Sequence, residues 1–165
     1  MALPGLKFPD LLRGVINEFQ GYLADPENAC LVVGDEKNLG EIFSLVADLE
    51  GDFNYHLKYH PQTVIFCSWY FNKYLNQLTE ITRQASTCYN LLFTAKRSNG
   101  YGEWDAKRMA ETDKSWLELV RKQDRMQRLV NILKSLVDAC KDRRPVLEQL
   151  SNNYRAELKD EQSVI

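Results

Sequence analysis

Histidine is nearly missing from this chain: the 165 residues contain only His56 and His60. Any Ser-His-Asp or Cys-His nucleophilic system would have to sit at that one segment. The two lie at i, i+4, one helical turn apart, but the run His-Leu-Lys-Tyr-His lacks the Glu of an H-E-x-x-H zinc site. Asp52 is the carboxylate that would have to complete a metal site there, and a local aromatic-rich turn ending at Pro61 is the expected role of the segment.

Cysteine is sparse as well. Cys30, Cys67, Cys88 and Cys140 are far apart and form no C-x-x-C pair, which removes both the zinc-finger and the disulfide-framework readings. Three of them fall on apolar helical rows, where a reduced thiol behaves as a small hydrophobe. Glycine is limited to eight residues, with no G-x-G-x-x-G and no G-x-x-x-x-G-K-[ST], so no phosphate-cradling loop is encoded. The acidic residues scatter over solvent faces without a paired-carboxylate arrangement for acid–base work. Nor does any run approach the roughly 18 apolar residues needed to cross a bilayer. The opening Met-Ala-Leu-Pro-Gly-Leu-Lys-Phe-Pro-Asp has no charged leader before an apolar core. These absences lead us to expect a soluble, cytoplasmic protein that is not an enzyme, has no cofactor, no metal and no membrane partner.

What is present is helix. Hydrophobic residues make up 44% and charged residues 27% of the chain, an ordinary globular composition. Leu11, Leu12, Val15, Ile16, Phe19 and Leu23 predict a short amphipathic helix capped by Asp10 and ended by Asp25-Pro26. Ala29 to Gly34 is a short apolar run that fits a strand or a buried loop. Leu39, Ile42, Phe43, Val46 and Leu49 predict a second short helix stopped at Gly51.

From Val64 the pattern becomes long. Val64, Phe71, Leu78, Ala85 and Leu92 alternate with Cys67, Tyr74, Ile81, Cys88 and Ala95, an uncharged 3–4 seam of coiled-coil type. Ser98-Asn99-Gly100-Tyr101-Gly102 breaks it, with Asn99 or Gly100 suited to a left-handed cap. A second seam starts near Trp116, with Leu119, Met126, Leu133, Cys140, Leu147 and Tyr154 every seven residues and Leu129, Leu136 and Leu150 in the partner register. Arg143 interrupts that register, and Pro145 predicts a kink or break. Residues beyond Leu158 suggest a polar, frayed tail.

A helix over 64–95 would be about 48 Å long, longer than the roughly 40 Å diameter of a compact chain of this size. The expected fold is therefore all-α: a long antiparallel helical hairpin with coiled-coil-like stripes over 61–165, preceded by an N-terminal helical segment over 1–60. The stripes need more cover than one hairpin gives, so the chain is expected to be a homo-oligomer.

Charge divides the chain. The net charge is −2, but residues 1–82 carry 5 basic and 11 acidic groups, whereas residues 83–155 carry 15 basic and 9 acidic. The basic half gathers around the interhelical turn: Lys96 and Arg97 close the first long helix, Tyr101 and Trp104 lie in the turn, and Lys107 and Arg108 follow. Arg83 stands earlier on the same helix, and Arg121, Lys122, Arg125 and Arg128 stud the next. Basic groups neutralise phosphates and aromatic faces stack on unpaired bases without sequence preference, a mixture that suits single-stranded nucleic acid. One copy supplies few charges, so affinity would be multiplied by oligomerisation.

Three segments carry a family likeness. Trp69-Tyr70-Phe71-Asn72-Lys73, the Ser98–Gly102 turn, and Arg143-Arg144-Pro145-Val146-Leu147-Glu148-Gln149-Leu150 with Arg155-Ala156-Glu157 resemble the bacteriophage recombination mediators of the UvsY type. There a W-L-N-K-like segment starts the helix, a Gly-rich turn follows, and the last helix ends in K/R-R-x-x-L-x-x-L-x-x-x-x-R. The likeness spans residues 40–158, and this chain departs from the pattern at Tyr101, where the family often has Arg, and at Pro145. It implies a helical protein assembled into a ring of about six or seven subunits. Such a ring binds single-stranded DNA and loads a RecA-like recombinase while the single-strand-binding protein is displaced, in the host cytoplasm for a phage protein. By position, Lys96 and Arg97 match the family's DNA-contacting basic residues.

Two functions follow as expectations. In the first, Arg83, Lys96, Arg97, Lys107 and Arg108 contact phosphates, Tyr101 or Trp104 stacks on bases, and Leu133, Leu136, Leu147 and Leu150 form the subunit interface. In the second, the chain is a non-enzymatic helical oligomeric adaptor or assembly factor that binds proteins only, and its basic face pairs with the acidic N-terminal half of a neighbour.

Overall fold

A computed structural model of the chain describes residues 8–49 and 52–163. Among them there are six helices and no strand: α1 (Phe8–Leu23), α2 (Pro26–Ala29), α3 (Glu36–Ala47), α4 (Phe53–Ser98), α5 (Glu103–Glu111) and α6 (Lys114–Ser163). The all-α class expected from periodicity is what forms. No helix among the described residues is long and apolar enough to cross a membrane.

The chain divides into two compact units. One draws on the chain up to Phe71 and from Ile132 onward; the other holds Asn72–Asn131. In the first unit, α1 and α3 face each other through apolar rows at helical spacing. Leu12, Val15, Phe19 and Tyr22 from α1 and Leu39, Phe43 and Val46 from α3 are all buried, and the Phe19 and Phe43 rings stack at 4.4 Å. α1 starts at Phe8, so Asp10 falls inside its first turn rather than capping it, because Pro9 is tolerated where no N–H is needed. Asp25 caps α2 instead, its Oδ1 accepting from Glu27 N at 2.9 Å. The ambiguous run after Ala29 is a 3-10 turn over Cys30–Val32 that buries Val32 and leaves through Gly34 at φ +86°. Gly51, the expected stop of α3, lies outside the described residues.

α4 begins eleven residues before Val64. Asp52 supplies the start: its Oδ1 accepts from Asn54 N at 2.9 Å and Tyr55 N at 3.2 Å, so this carboxylate is spent on a helix cap. Pro61 does not end the aromatic stretch but sits within the helix. Its missing hydrogen bond is outweighed by packing, since His56, His60, Thr63 and Cys67 on one face are all buried. Pro145 likewise fails to break α6, flanked by buried Arg143, Val146 and Leu147. α6 continues to Ser163 where a frayed tail was expected.

The core of the first unit is completed by α6, with Ile132, Leu133, Leu136, Val137, Ala139, Cys140 and Leu147 buried. Cys67 and Cys140 hydrogen-bond to each other, and that bond together with burial pushes the Cys67 thiol up, which keeps it neutral and unreactive. At the far end Phe53 meets Tyr154 edge-on at 6.4 Å, and Arg155 Nη2 donates to Asn54 Oδ1 at 3.2 Å. In the second unit, Tyr74, Leu78, Ile81 and Ala85 of α4 are buried together with Ala106 and Ala110 of α5 and Met126, Leu129 and Val130 of α6.

Candidate nucleic-acid interface

The basic and aromatic residues expected to bind DNA all lie in the second unit. The turn that presents them is fixed by backbone hydrogen bonding. Tyr101 N donates to Lys96 O at 3.3 Å and Gly100 N to Arg97 O at 3.1 Å, the paired bonds of a Schellman cap. Gly100 takes the left-handed position at φ +88°, which a side chain would strain. Lys96 and Arg97 therefore stand on the last turn of α4, at the negative end of its dipole. Arg97 folds back so that Nη1 donates to Tyr101 O at 3.1 Å. This bond uses one donor but leaves the charge unneutralised.

Tyr101 is exposed in the turn, as expected, whereas Trp104 belongs to the first turn of α5. That helix was not anticipated; its two small buried residues, Ala106 and Ala110, give too faint an apolar rhythm. Trp104 is the most exposed aromatic side chain described, at 76%. The Arg108 guanidinium lies over its ring at 6.0 Å and 4.0 Å from Asp105. Lys107 is 3.9 Å from Glu111. Both ion pairs are solvent-exposed and weak, so they divert these cations only in part.

Arg83 is placed differently. It donates through Nε and Nη2 to the two carboxylate oxygens of Glu80, at 2.9 and 2.7 Å. Hydrogen bonds from Arg83 and then Gln84 hold the Glu80 carboxyl down to about 2. A guanidinium bound bidentately to a carboxylate offers little net charge to a phosphate. Asp113, at the start of α6, accepts from the Ser115 hydroxyl and from Ser115 N. These bonds, with Lys96 nearby, hold its carboxyl low. Arg121, Lys122 and Arg128 are exposed on α6.

The leucines assigned to a subunit interface are not on the surface. Leu133, Leu136 and Leu147 are fully buried within their own chain and Leu150 is half-buried. A side chain already enclosed has no area left for a second copy, so the expected interface through Leu133, Leu136 and Leu147 is corrected to a place in the protomer core.

Two groupings of residues were not drawn together by the sequence. On α4, Tyr55, Tyr59, Phe66 and Trp69 are exposed together with Ile65. The aromatic positions recur at 4, 7 and 3 residues, one helical row displaced from the buried seam. A search for a second heptad register would have found it.

The other group surrounds Arg143, which is 1% exposed. Its Nη2 donates to Asp48 O at 2.7 Å and meets His56 Nδ1 at 3.0 Å, and His56 Nε2 is 3.4 Å from Asp48 Oδ2. A guanidinium only donates, so His56 Nδ1 is the acceptor of that contact. Arg143 Nε and His60 Nδ1 are buried without a partner among the described residues. Burial, then the charge of Arg143, pushes His60 down. This buried cluster bolts α6 to the segment between α3 and α4. Among the described residues no group of three or more His, Cys, Asp or Glu is placed to hold a metal ion. Compared with family models, curated proteins and solved structures, the chain finds no match.

Proposed function

We propose that this chain is a single-stranded DNA-binding mediator of homologous recombination, similar in role to the UvsY-type phage proteins, acting without catalysis. In this reading α4 and α6 lie as an antiparallel hairpin. Lys96, Arg97, Lys107 and Arg108 hold phosphates, Trp104 and Tyr101 stack on bases, and several copies gather on one strand to load a RecA-like recombinase as the single-strand-binding protein leaves.

The observation that carries the reading is Trp104, held out from the second unit with Arg108 across its ring and with Lys96 and Arg97 on the neighbouring helix end. An exposed indole beside cations is the combination that binds unpaired bases and their backbone. Self-association is assigned to the aromatic row on α4. Half-exposed, its five side chains offer about 500 Å² per copy, and two copies together reach about 1,000 Å², the lower bound of a specific interface.

The test is anisotropy of labelled single-stranded DNA across a salt series, with solution mass measured in parallel. Tight binding by a multi-subunit particle that weakens steeply with salt is the expected result. Lys96→Ala with Arg97→Ala should lower affinity and reduce the salt slope by about 2 without changing the mass. No binding at low salt by an assembled particle refutes the reading. The same exposed row favours the second reading, a protein-binding adaptor, and that reading stands if assembly is intact but DNA is ignored.

A further inference from the structure

The second unit holds a cleft of about 510 Å³ between α4, α5 and α6, within the size range of small-molecule sites, about 300–1,000 Å³. Tyr89 of α4 and Trp116 of α6 form its aromatic side, their centroids 5.8 Å apart and their planes inclined at 53°. Inclined in this way, the rings do not cover each other, and both are only half-buried. Asn90 and Gln123 bring a carboxamide from each long helix, Ser86 adds a hydroxyl, and Glu111 of α5 adds a carboxylate.

The chemistry of the lining narrows the occupant. An apolar side chain would leave the two carboxamides and the hydroxyl of the lining unused. A flat ring with donors and acceptors on its edge uses every group: π-faces for Trp116 and Tyr89, and an edge for the carboxamides, each of which both donates and accepts.

We propose that this cleft takes one unpaired nucleobase of a bound single strand, its ring against Trp116 and Tyr89 and its hydrogen-bonding edge toward Asn90, Gln123 and Glu111. The inference rests on the single-strand reading above and adds a base-binding site to it. The carboxylate accepts but cannot donate, so bases with an exocyclic amine (cytosine, adenine, guanine) are preferred to thymine, whose edge offers N3–H alone between two carbonyl acceptors.

The experiment uses the full chain and three labelled strands of equal length: oligo-dC, oligo-dT and an abasic strand that keeps the phosphates. The expected order is dC over dT over abasic, with the base-bearing strands ahead of the abasic one by about tenfold or more. Asn90→Ala with Gln123→Ala should shrink that gap while leaving abasic affinity unchanged. Trp116→Leu should do the same, with helicity checked by circular dichroism. Equal affinity for all three strands overturns the cleft but leaves the phosphate-binding reading standing. No binding to any strand overturns both. A base preference untouched by Asn90→Ala/Gln123→Ala and by Trp116→Leu, yet abolished by Trp104→Ala, moves base recognition out of the cleft and overturns the assignment.

Discussion

Arg143→Ala and Arg143→Met should differ in stability in a way that separates hydrogen bonding from packing. Arg143 is enclosed in the first unit, donating to Asp48 O at 2.7 Å and reaching His56 Nδ1 at 3.0 Å, while its own Nε has no partner among the described residues. Either substitution removes both donated bonds. An unsatisfied buried acceptor costs about 1–3 kcal/mol. The Asp48 side chain is 49% exposed, so water can reach its backbone and the lower end applies there. Removing the guanidinium also removes a charge held out of water and a partnerless Nε, which offsets part of the loss. For Met, which keeps most of the stem volume, the net is about 2 kcal/mol. Ala adds the cavity left by the stem, bringing the total to about 4 kcal/mol. Those losses correspond to falls in melting temperature of about 4–8 °C and 8–16 °C for a chain of this size. Hydrogen exchange read by mass spectrometry should localise the loss to residues 52–71 and 132–155, leaving the second unit protected. If Met costs as much as Ala, packing of the stem contributes nothing. If both cost less than about 0.5 kcal/mol, or protection falls equally in both units, Arg143 is not the bolt described.

Glu80→Gln breaks the bidentate pair with Arg83 and should raise single-stranded DNA affinity at low salt and steepen the salt slope by about 1; the same anisotropy titration reports it, and unchanged binding would place Arg83 off the DNA path. His60 is pushed down in the folded chain, so the unfolded chain binds its proton more readily, and stability should fall as pH drops below the ordinary histidine value of 6.5. His60→Phe should remove part of that slope, as measured by urea midpoints between about pH 7.5 and about pH 5, a range that brackets the ordinary histidine titration. Gly100→Ala forces a methyl side chain into φ +88° and should cost about 1–2 kcal/mol, with Gly100→Asn milder. Trp69→Glu with Phe66→Glu puts charge into the exposed α4 row and should lower the solution mass without loss of helicity; an unchanged particle would move self-association elsewhere.

The seams were legible because their spacing reports helix directly. Leu78, Ile81 and Ala85 are buried as their register requires, and so are Met126, Leu133, Cys140 and Leu147. The Gly100 cap was legible because a residue at positive φ following a long helix leaves few alternatives to glycine. What periodicity could not give was the partner of each buried face. Leu133, Leu136 and Leu147 have the pattern of an interface, but the same pattern is satisfied by cover from within the chain, and spacing alone does not distinguish the two. The two prolines end neither helix for a related reason. Pro61 and Pro145 each remove one hydrogen bond, a local cost that the burial of neighbouring side chains outweighs. Arg143 misled most: at an apolar register position it marked an interruption in the sequence, yet its guanidinium reaches back to Asp48 O across 95 residues.

Counting basic residues locates a candidate surface, but pairing decides how much of it a phosphate meets. Arg83 and Lys96 count equally in the sequence, yet Arg83 is locked to a carboxylate held down to about 2, one that stays charged at any physiological pH. Arg97 spends a hydrogen bond on a backbone carbonyl and keeps its full charge. Lys107 and Arg108 sit between, beside carboxylates at 3.9 and 4.0 Å that solvent screens. Lys96 likewise has the Asp113 carboxylate nearby, so the order of effect on DNA binding should run from Arg97, through Lys96, Lys107 and Arg108, to Arg83. Single alanine variants measured at one low salt concentration give that order directly. If Arg83→Ala weakens binding as much as Arg97→Ala, the Glu80 pair opens on binding, and ion pairing in the free chain ceases to rank its cations.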